Sequence, residues 1–348
     1  LESAHQKKAV AAIAQTILDT LSKPFLLEDG NEILIAASIG ISLYPQDGSD
    51  IATLLQAANK SMKYAKQQGG NLYEFYRTTV NTAASDRLAL EASLSYALER
   101  EELQVYYQPQ VNLKTGQIVG AEALLRWYHP QRGLISPGIF IAIAEETGLI
   151  LPISEWVLKT ACKQAKIWHN SGFPSLRMAV NLPGREFTQP NLTLQISRIL
   201  METGLDPKDL ELELTESILV QNREVSLVRL TALKALGLQI AIDDFGTGYS
   251  SLSYLQQFPF DTLKIDQCFI RNLTKDPKTK AITTAIMQMA QSLNLKLIAE
   301  GVETEAELAF LRDNNCDEMQ GYLFSPPVKV GKFETLLENN KNLPISHC

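Results

Sequence analysis

Apolar positions set two rhythms along the chain. Over 4–22 they recur at helical spacing, with Ile13, Ile17 and Leu21 four apart, which predicts an amphipathic helix. FLLEDGNEILIAASIGISLYPQDG follows and reads as a hairpin that turns at Asp29–Gly30 and ends at Pro45. A second helix is predicted over 50–68, with Leu54, Leu55, Ala58, Met62 and Ala65 on one face and Gly69–Gly70 as its stop. The strand NLYEFY closes this unit at 76. Residues 77–86 are polar and read as a linker. DRLALEASLSYALERE carries Leu90, Leu94, Ala97 and Leu98 at helical spacing and reads as a connecting helix.

From 103 onward the rhythm changes. Short apolar runs stand at 103–110, 117–128, 176–182, 210–215, 238–244, 261–266, 295–301 and 318–324. Helical patterns fill 152–170, 189–203, 223–236, 278–293, 304–314 and 330–340. Strands alternating with helices imply parallel pairing through right-handed crossovers. Eight strands over about 235 residues match a (β/α)8 barrel. Only NLKTG separates the first two runs, which is hairpin spacing, so one strand is expected to run antiparallel in a modified TIM-like barrel. The expected organisation is therefore a partial α+β unit over 1–77, a linker and connecting helix over 78–100, and the barrel over 101–348.

Composition narrows the class. Hydrophobic residues make up 45% and charged residues 20% of the chain, as in an ordinary globular protein. The longest apolar stretch, GLILPISEWVL, is interrupted by Pro152 and Glu155 and falls short of the ~20 residues that span a bilayer. The net charge of -7 gives no general attraction to DNA or RNA polymers. Cys162, Cys268, Cys316 and Cys348 lie far apart and read as isolated thiols, which fits a reducing cytoplasm. His5, His129, His169 and His347 are equally scattered, so a histidine metal site is not expected. The chain begins at Leu1 and reads as a fragment of something longer, with an upstream sensor outside it and membrane attachment of the longer protein left open.

Polar groups recur at the C-terminal end of each run. They are Glu122 in GAEALLR, Asn181 ending RMAVN, Glu213 and Glu216 in LELTES, and Asp243 and Asp244 ending LQIAIDD. Lys264 and Asp266 end LKID, Glu300 and Glu303 follow LKLIA, and Gln320 sits in MQGYLF. In a parallel barrel these ends share the face that carries active sites. Two adjacent aspartates repel, and burial makes either costly unless a cation pairs with it. An all-oxygen set of Asp, Glu and Asn favours hard cations, Mg2+ or Mn2+. A shared aspartate among several carboxylates suits two ions about 3.5–4 Å apart, an arrangement that activates water for in-line displacement at phosphorus. Lys264 could orient or deprotonate that water, or steady developing charge. Each residue also has a plainer reading. LELELT could be alternation with one wet face, Glu216 a helix cap, Arg126 the partner of a nearby carboxylate, and DFGTG a strand-to-helix turn that needs Gly246 and Gly248. Trp127, Trp156 and Trp168 read as packing residues. Chance would have to repeat itself at seven strand ends to explain the set away.

The blocks YYQPQ, EALLRW, the VNL of AVNLPGREF, ELTES, DDFGTGYSSL, LKID, AEGVET and QGYLFSPP stand in order at barrel spacing. From about 88 to 337 the chain resembles the EAL-domain cyclic di-GMP phosphodiesterases. The resemblance implies hydrolysis of cyclic di-GMP to linear pGpG in bacterial second-messenger signalling. It implies one metal on Glu122, Asn181, Glu213 and Asp243 and a second on Asp243, Asp244 and Glu300, with Lys264 acting on the water and Gln320 in support. It places Gln108, Leu125, Arg126, Asp266 and Glu303 toward the ligand, with Arg126 on a phosphate. Glu216 would hold the loop DFGTGYSSL, which is tied to homodimerisation in the family. No position in this set departs from the pattern, although Pro183 and Gly184 replace the family's frequent Ser and Ala. Residues 1–77 resemble the C-terminal half of a GGDEF diguanylate cyclase domain through SIGISLYPQDG and LLQAANKSMKYAKQQGGN. The signature loop is absent and Asn59 replaces a usual Asp, so no cyclase activity is expected of this piece. A non-catalytic cyclic di-GMP receptor acting through a partner is the alternative. An enolase-like Mg2+ lyase is a third reading.

Overall fold

In a computed structural model of the chain, residues 2–21, 25–26, 32–33, 37–67, 72–76, 87–174, 176–220, 222–246, 255–271, 273 and 276–343 are described. The chain divides into two compact units, Leu1–Ala92 and Ser93–Cys348.

The first unit holds helix α1 (Glu2–Leu21), strands β1 (Phe25–Leu26), β2 (Glu32–Ile33) and β3 (Ile39–Ile41), helix α2 (Ile51–Gln67) and strand β4 (Tyr73–Phe75). The expected hairpin is present as the β1–β2 pair, but its second arm does not run on to Pro45 as one strand. β1 and β2 pair antiparallel, whereas β3 pairs parallel with β4. The expected turn at Asp29–Gly30 and the linker 77–86 lie outside the described residues. The buried side of α1 also differs from the expected one. Ala14 and Leu18 are buried while Ile13 and Ile17 are exposed. On α2, Ala57, Ser61 and Ala65 are buried and Leu55 is exposed. Small residues let an adjoining backbone approach closely, so burial follows the short side chains there; Ala58 and Met62 of α2 lie directly against Gly40 of β3.

The second unit is a closed eight-stranded barrel. Its strands are β5 (Leu103–Asn112), β6 (Ile118–His129), β8 (Arg177–Asn181), β9 (Leu210–Thr215), β10 (Gln239–Phe245), β11 (Thr262–Ile265), β12 (Lys296–Ala299) and β13 (Glu318–Met319), with β7 (Gly133–Ile135) an extra strand folded back on the end of β6. β6 and β8 to β13 pair parallel in sequence order, and β5 closes the ring antiparallel to both β6 and β13. The hairpin between β5 and β6 is the one predicted from NLKTG. Helices α3 (Pro137–Thr147) and α4 (Ile150–Asn170) follow β7. IFIAIA in α3 is continuously apolar and so shows no helical period, but Pro137 at its first turn and Gly148 at φ 84 mark its ends.

The barrel wall is packed from outside by the helices. Tyr107 of β5, Trp168 of α4 and Phe333 of the helix Val330–Glu338 form one aromatic cluster, with ring centroids of 4.6 Å for Trp168–Phe333 and 4.9 Å for Tyr107–Trp168. Trp127 and Trp168 are fully buried, as packing residues should be. The barrel floor is ionic. Arg177 donates to Glu318 at 2.6 Å and to Gln110 at 2.7 Å and forms an ion pair with Glu211 at 3.1 Å, and Thr262 donates to Glu211 at 2.7 Å. The two glutamates of LELELT therefore both face the barrel interior, with Glu211 on the floor and Glu213 one layer higher; neither faces water.

Candidate functional site

Lys264 is the hub of the upper layer. It projects from β11 and is fully buried. Its Nζ lies 2.6 Å from Glu300, 2.8 Å from Glu213, 3.4 Å from Asp243 and 3.6 Å from Glu122. These four carboxylates come from β12 and its following turn, β9, β10 and β6. Asn181 at the end of β8 donates to Glu122 at 2.8 Å, and Gln320 donates to Glu122 and, at 2.9 Å, to Gln108. Gln108 in turn donates to the Ser325 carbonyl at 3.2 Å. Eight chain segments thus converge on one buried point at the C-terminal ends of the parallel strands.

Asp243 and Asp244 reach the site together although they are consecutive. Neighbouring side chains on a regular strand leave on opposite faces. Here the β10–β11 register shifts between Ile242 and Phe245, which accommodates one extra residue, and Asp244 adopts φ 52. The Asp244 amide donates to the Asp243 carboxylate at 3.0 Å. One oxygen each from Asp243, Asp244 and Glu300 lie within 4.8 Å of one another.

The electrostatics follow from five carboxylates around one lysine. Burial opposes charge on Lys264, but Asp243, Glu122, Glu213 and Glu300 outweigh it and hold the ammonium well above its ordinary range. Burial and the neighbouring Glu122 push Glu213 far up. Burial, with Asp243 and Glu122 adding to it against Lys264, raises Glu300 to about 8. Burial, Asp243 and Asp266 raise Asp244 to about 6. Glu122 goes the other way. Burial would raise it, yet Lys264 and the amides of Gln320 and Asn181 hold it down. Carboxylates driven to keep protons show a shortage of positive charge. A divalent cation fits that shortage and the all-oxygen donor set. Oε1 of Glu213 and Oε1 of Gln320 are also buried without a hydrogen-bond partner among the described residues, as acceptors for a further group would be.

The remaining predicted residues line the rim. Arg126 is half-buried, donates to the Leu125 carbonyl at 2.8 Å and lies over the Tyr106 ring. Asp266 caps the helix Gln267–Ile270 through the Cys268 amide at 2.8 Å and stands close enough to Asp244 to help raise its carboxyl. Glu303 stands further out, exposed and paired with Arg271 at 2.9 Å. Glu216 is buried at the start of the helix Glu216–Val220. Its expected charge, the loop DFGTGYSSL, is described only to Gly246.

A cavity of about 810 Å3 opens beside this cluster. Asn181, Glu213 and Arg126 stand at its inner side, and Leu125, Pro137, Ile150 and Ile153 form apolar walls. The sequence predicts α4 as a helix over 152–170 but does not mark it or α3 as a cavity wall, since apolar helix residues carry no chemical signature. Nor does it pair Tyr106 with Tyr128, whose hydroxyls lie 2.5 Å apart. The repeated tyrosines of YYQPQ were the available signal.

The profile of the EAL domain matches residues 91–327, across this whole site. The chain belongs to the EAL-domain family. The diguanylate cyclase GGDEF profile matches residues 1–72. Among EAL-domain relatives, the bifunctional diguanylate cyclase/cyclic di-GMP phosphodiesterase MucR of Pseudomonas aeruginosa is 44% identical over 328 residues, 94% of this chain and 48% of MucR. The cyclic di-GMP phosphodiesterase PdeR of Escherichia coli is 39% identical over 334 residues, 96% of this chain and 50% of PdeR. The chain therefore spans about half the length of these relatives. A solved structure of the PaMucR phosphodiesterase in complex with c-di-GMP matches this EAL domain with a TM-score of 0.69 at 46% identity, covering 70% of this chain and 99% of that one.

Proposed function

We propose that this chain hydrolyses one phosphodiester bond of cyclic di-GMP, releasing linear pGpG, with Mg2+ or Mn2+ at two positions. The observation that carries this is the convergence of Glu122, Glu213, Asp243, Asp244 and Glu300 around Lys264 beside a cavity large enough for a nucleotide. Glu122, Asn181, Glu213 and Asp243 would hold one cation, and Asp243, Asp244 and Glu300 the other. When bound, the cations supply Lewis-acid polarisation of the phosphate and of the attacking water.

The chain's own groups do the positioning. Arg126 binds a phosphate oxygen, Gln108 and Leu125 border the bound nucleotide, and Asp266 and Glu303 hold its outer side. Lys264 orients the water and steadies charge growing on phosphorus, with Gln320 and Glu122 fixing its surroundings. The water oxygen joins phosphorus as the bond to the 3′ oxygen breaks, and the proton the water gives up is balanced by the one that 3′ oxygen takes up, so one water is consumed for each bond cleaved. Resemblance to MucR and PdeR supports the substrate. Homodimerisation through the barrel and control by an upstream sensor are part of the same proposal.

Incubating the chain with cyclic di-GMP and Mg2+ or Mn2+ and separating products by chromatography tests it. A linear dinucleotide that disappears with chelator is expected. Glu122→Ala and Lys264→Ala should each lower kcat by about 100-fold or more. Intact nucleotide after prolonged incubation, or unchanged rates in both variants, would overturn the reading.

A further inference from the structure

A non-glycine residue at positive φ costs about 1–3 kcal/mol and persists only where its surroundings hold it. The bulge at Asp243–Asp244 is such a place, and one short segment after β11, Asp266 to Arg271, surrounds it. Phe269 is half-buried and seated on Gly246, the residue two beyond Asp244. Gly246 has φ 92, and a β-carbon there would lie 2.9 Å from Cε2 and Cζ of the Phe269 ring. Gln267 is seated in the same way on Gly301, the residue after Glu300. Gly301 has φ 65, and a β-carbon there would lie 2.5 Å from Cβ of Gln267. One helix of four residues thus rests on the backbone that follows each carboxylate-bearing strand end. Arg271, at the end of the same segment, adds its ion pair to Glu303. Behind it, Thr283 donates to the Phe269 carbonyl at 3.4 Å, and Ile286 borders the same point on Gly246 at 3.6 Å.

We propose that Phe269 is a positioning residue, a wedge on Gly246 that keeps the Asp243–Asp244 bulge turned toward Glu300 and sets the spacing at which these carboxylates take a divalent cation. This rests on the metal-dependent reading above. An ordinary packing contact would lower the melting temperature and leave the folded protein's cation affinity alone. A wedge changes the affinity itself, because a carboxylate displaced by a fraction of an ångström no longer meets the ion with its partners.

The test is titration of the full chain with Mn2+ alone, followed by the electron paramagnetic resonance of free and bound ion, beside thermal unfolding. Phe269→Ala should unfold cooperatively yet bind Mn2+ about 10- to 100-fold more weakly, as loss of a group that orients metal ligands does. Phe269→Leu, which keeps the bulk, should bind within a few-fold of the parent chain. Hydrolysis of cyclic di-GMP by Phe269→Ala should recover as Mn2+ is raised to saturation. If Phe269→Ala does not fold, Gly246→Ala carries the test. It drives a methyl into the ring and should weaken Mn2+ by the same order. Parental Mn2+ affinity in a folded Phe269→Ala or Gly246→Ala chain would overturn the wedge alone. A parent chain that binds no Mn2+ would overturn the metal reading and the wedge with it.

Discussion

Lys264 shows how one residue can satisfy a site and still leave it short of charge. A lysine with no exposed surface ordinarily loses its proton, but four carboxylates within 3.6 Å keep it charged. Truncating one member of a buried ionic cluster leaves the others uncompensated, at a cost of about 3–5 kcal/mol. Lys264→Met should therefore lose stability of that order in chelator, measured by denaturant midpoint. Saturating Mn2+ should restore much of it, since the cation replaces the missing charge. An equal loss in chelator and in Mn2+ would count against the carboxylates as a cation site.

At the scale of elements, an acid that the chemistry does not use is buried behind the cavity wall, where it meets Ser154 of the lining. Glu186, in the short helix Gly184–Phe187, is buried between α4 and the helix Leu192–Thr203. Ser154 and Gln195 donate to it. Burial raises Glu186 to about 7, with Ser154 opposing and Glu155 adding to the rise. The folded state then holds a proton that the unfolded state releases near pH 4.5. Between about pH 4.5 and 7 the native state binds more protons, so stability should fall as pH rises, by about 1.4 kcal/mol per unit. The contribution is full below that window and gone above it. Glu186→Gln should flatten this slope in denaturation midpoints taken from pH 4.5 to 8. A parental slope in the variant would remove Glu186 as its source.

For the whole molecule, five acidic groups converge at one barrel mouth in a chain of net charge -7. A cation that binds the folded state and not the unfolded one adds RT ln(1 + [L]/Kd), about 2.7 kcal/mol at a hundredfold excess over Kd. Chelator should lower the melting temperature, and Mg2+ or Mn2+ should raise it progressively with concentration. A melting temperature indifferent to both would argue against occupancy. No described helix is long and apolar enough to cross a membrane.

The order of the eight barrel strands, six of the helices between them, the antiparallel β5–β6 hairpin and the residues at the strand ends are readable from the chain, because each rests on local period, turn chemistry or motif; β7 and α3 are not. Glu122, Glu213, Asp243, Lys264 and Glu300 could be named from their places at the ends of apolar runs. Other features depend on residues distant in sequence. The ring of carboxylates meets Lys264 only once the barrel closes. Glu211 and Glu213 look like a wet face until Arg177 and Lys264 are seen to meet them inside. On α1, Ala14 and Leu18 are buried in place of Ile13 and Ile17, a choice made by packing that periodicity does not encode. Asp244 points to the same site as Asp243 only because the strand bulges there, and the neighbours that hold the bulge, Phe269 on Gly246 and Gln267 on Gly301, come from another turn of the barrel. Local sequence sets which groups arrive at a strand end; the direction in which they point is a tertiary decision, because it depends on what packs behind them.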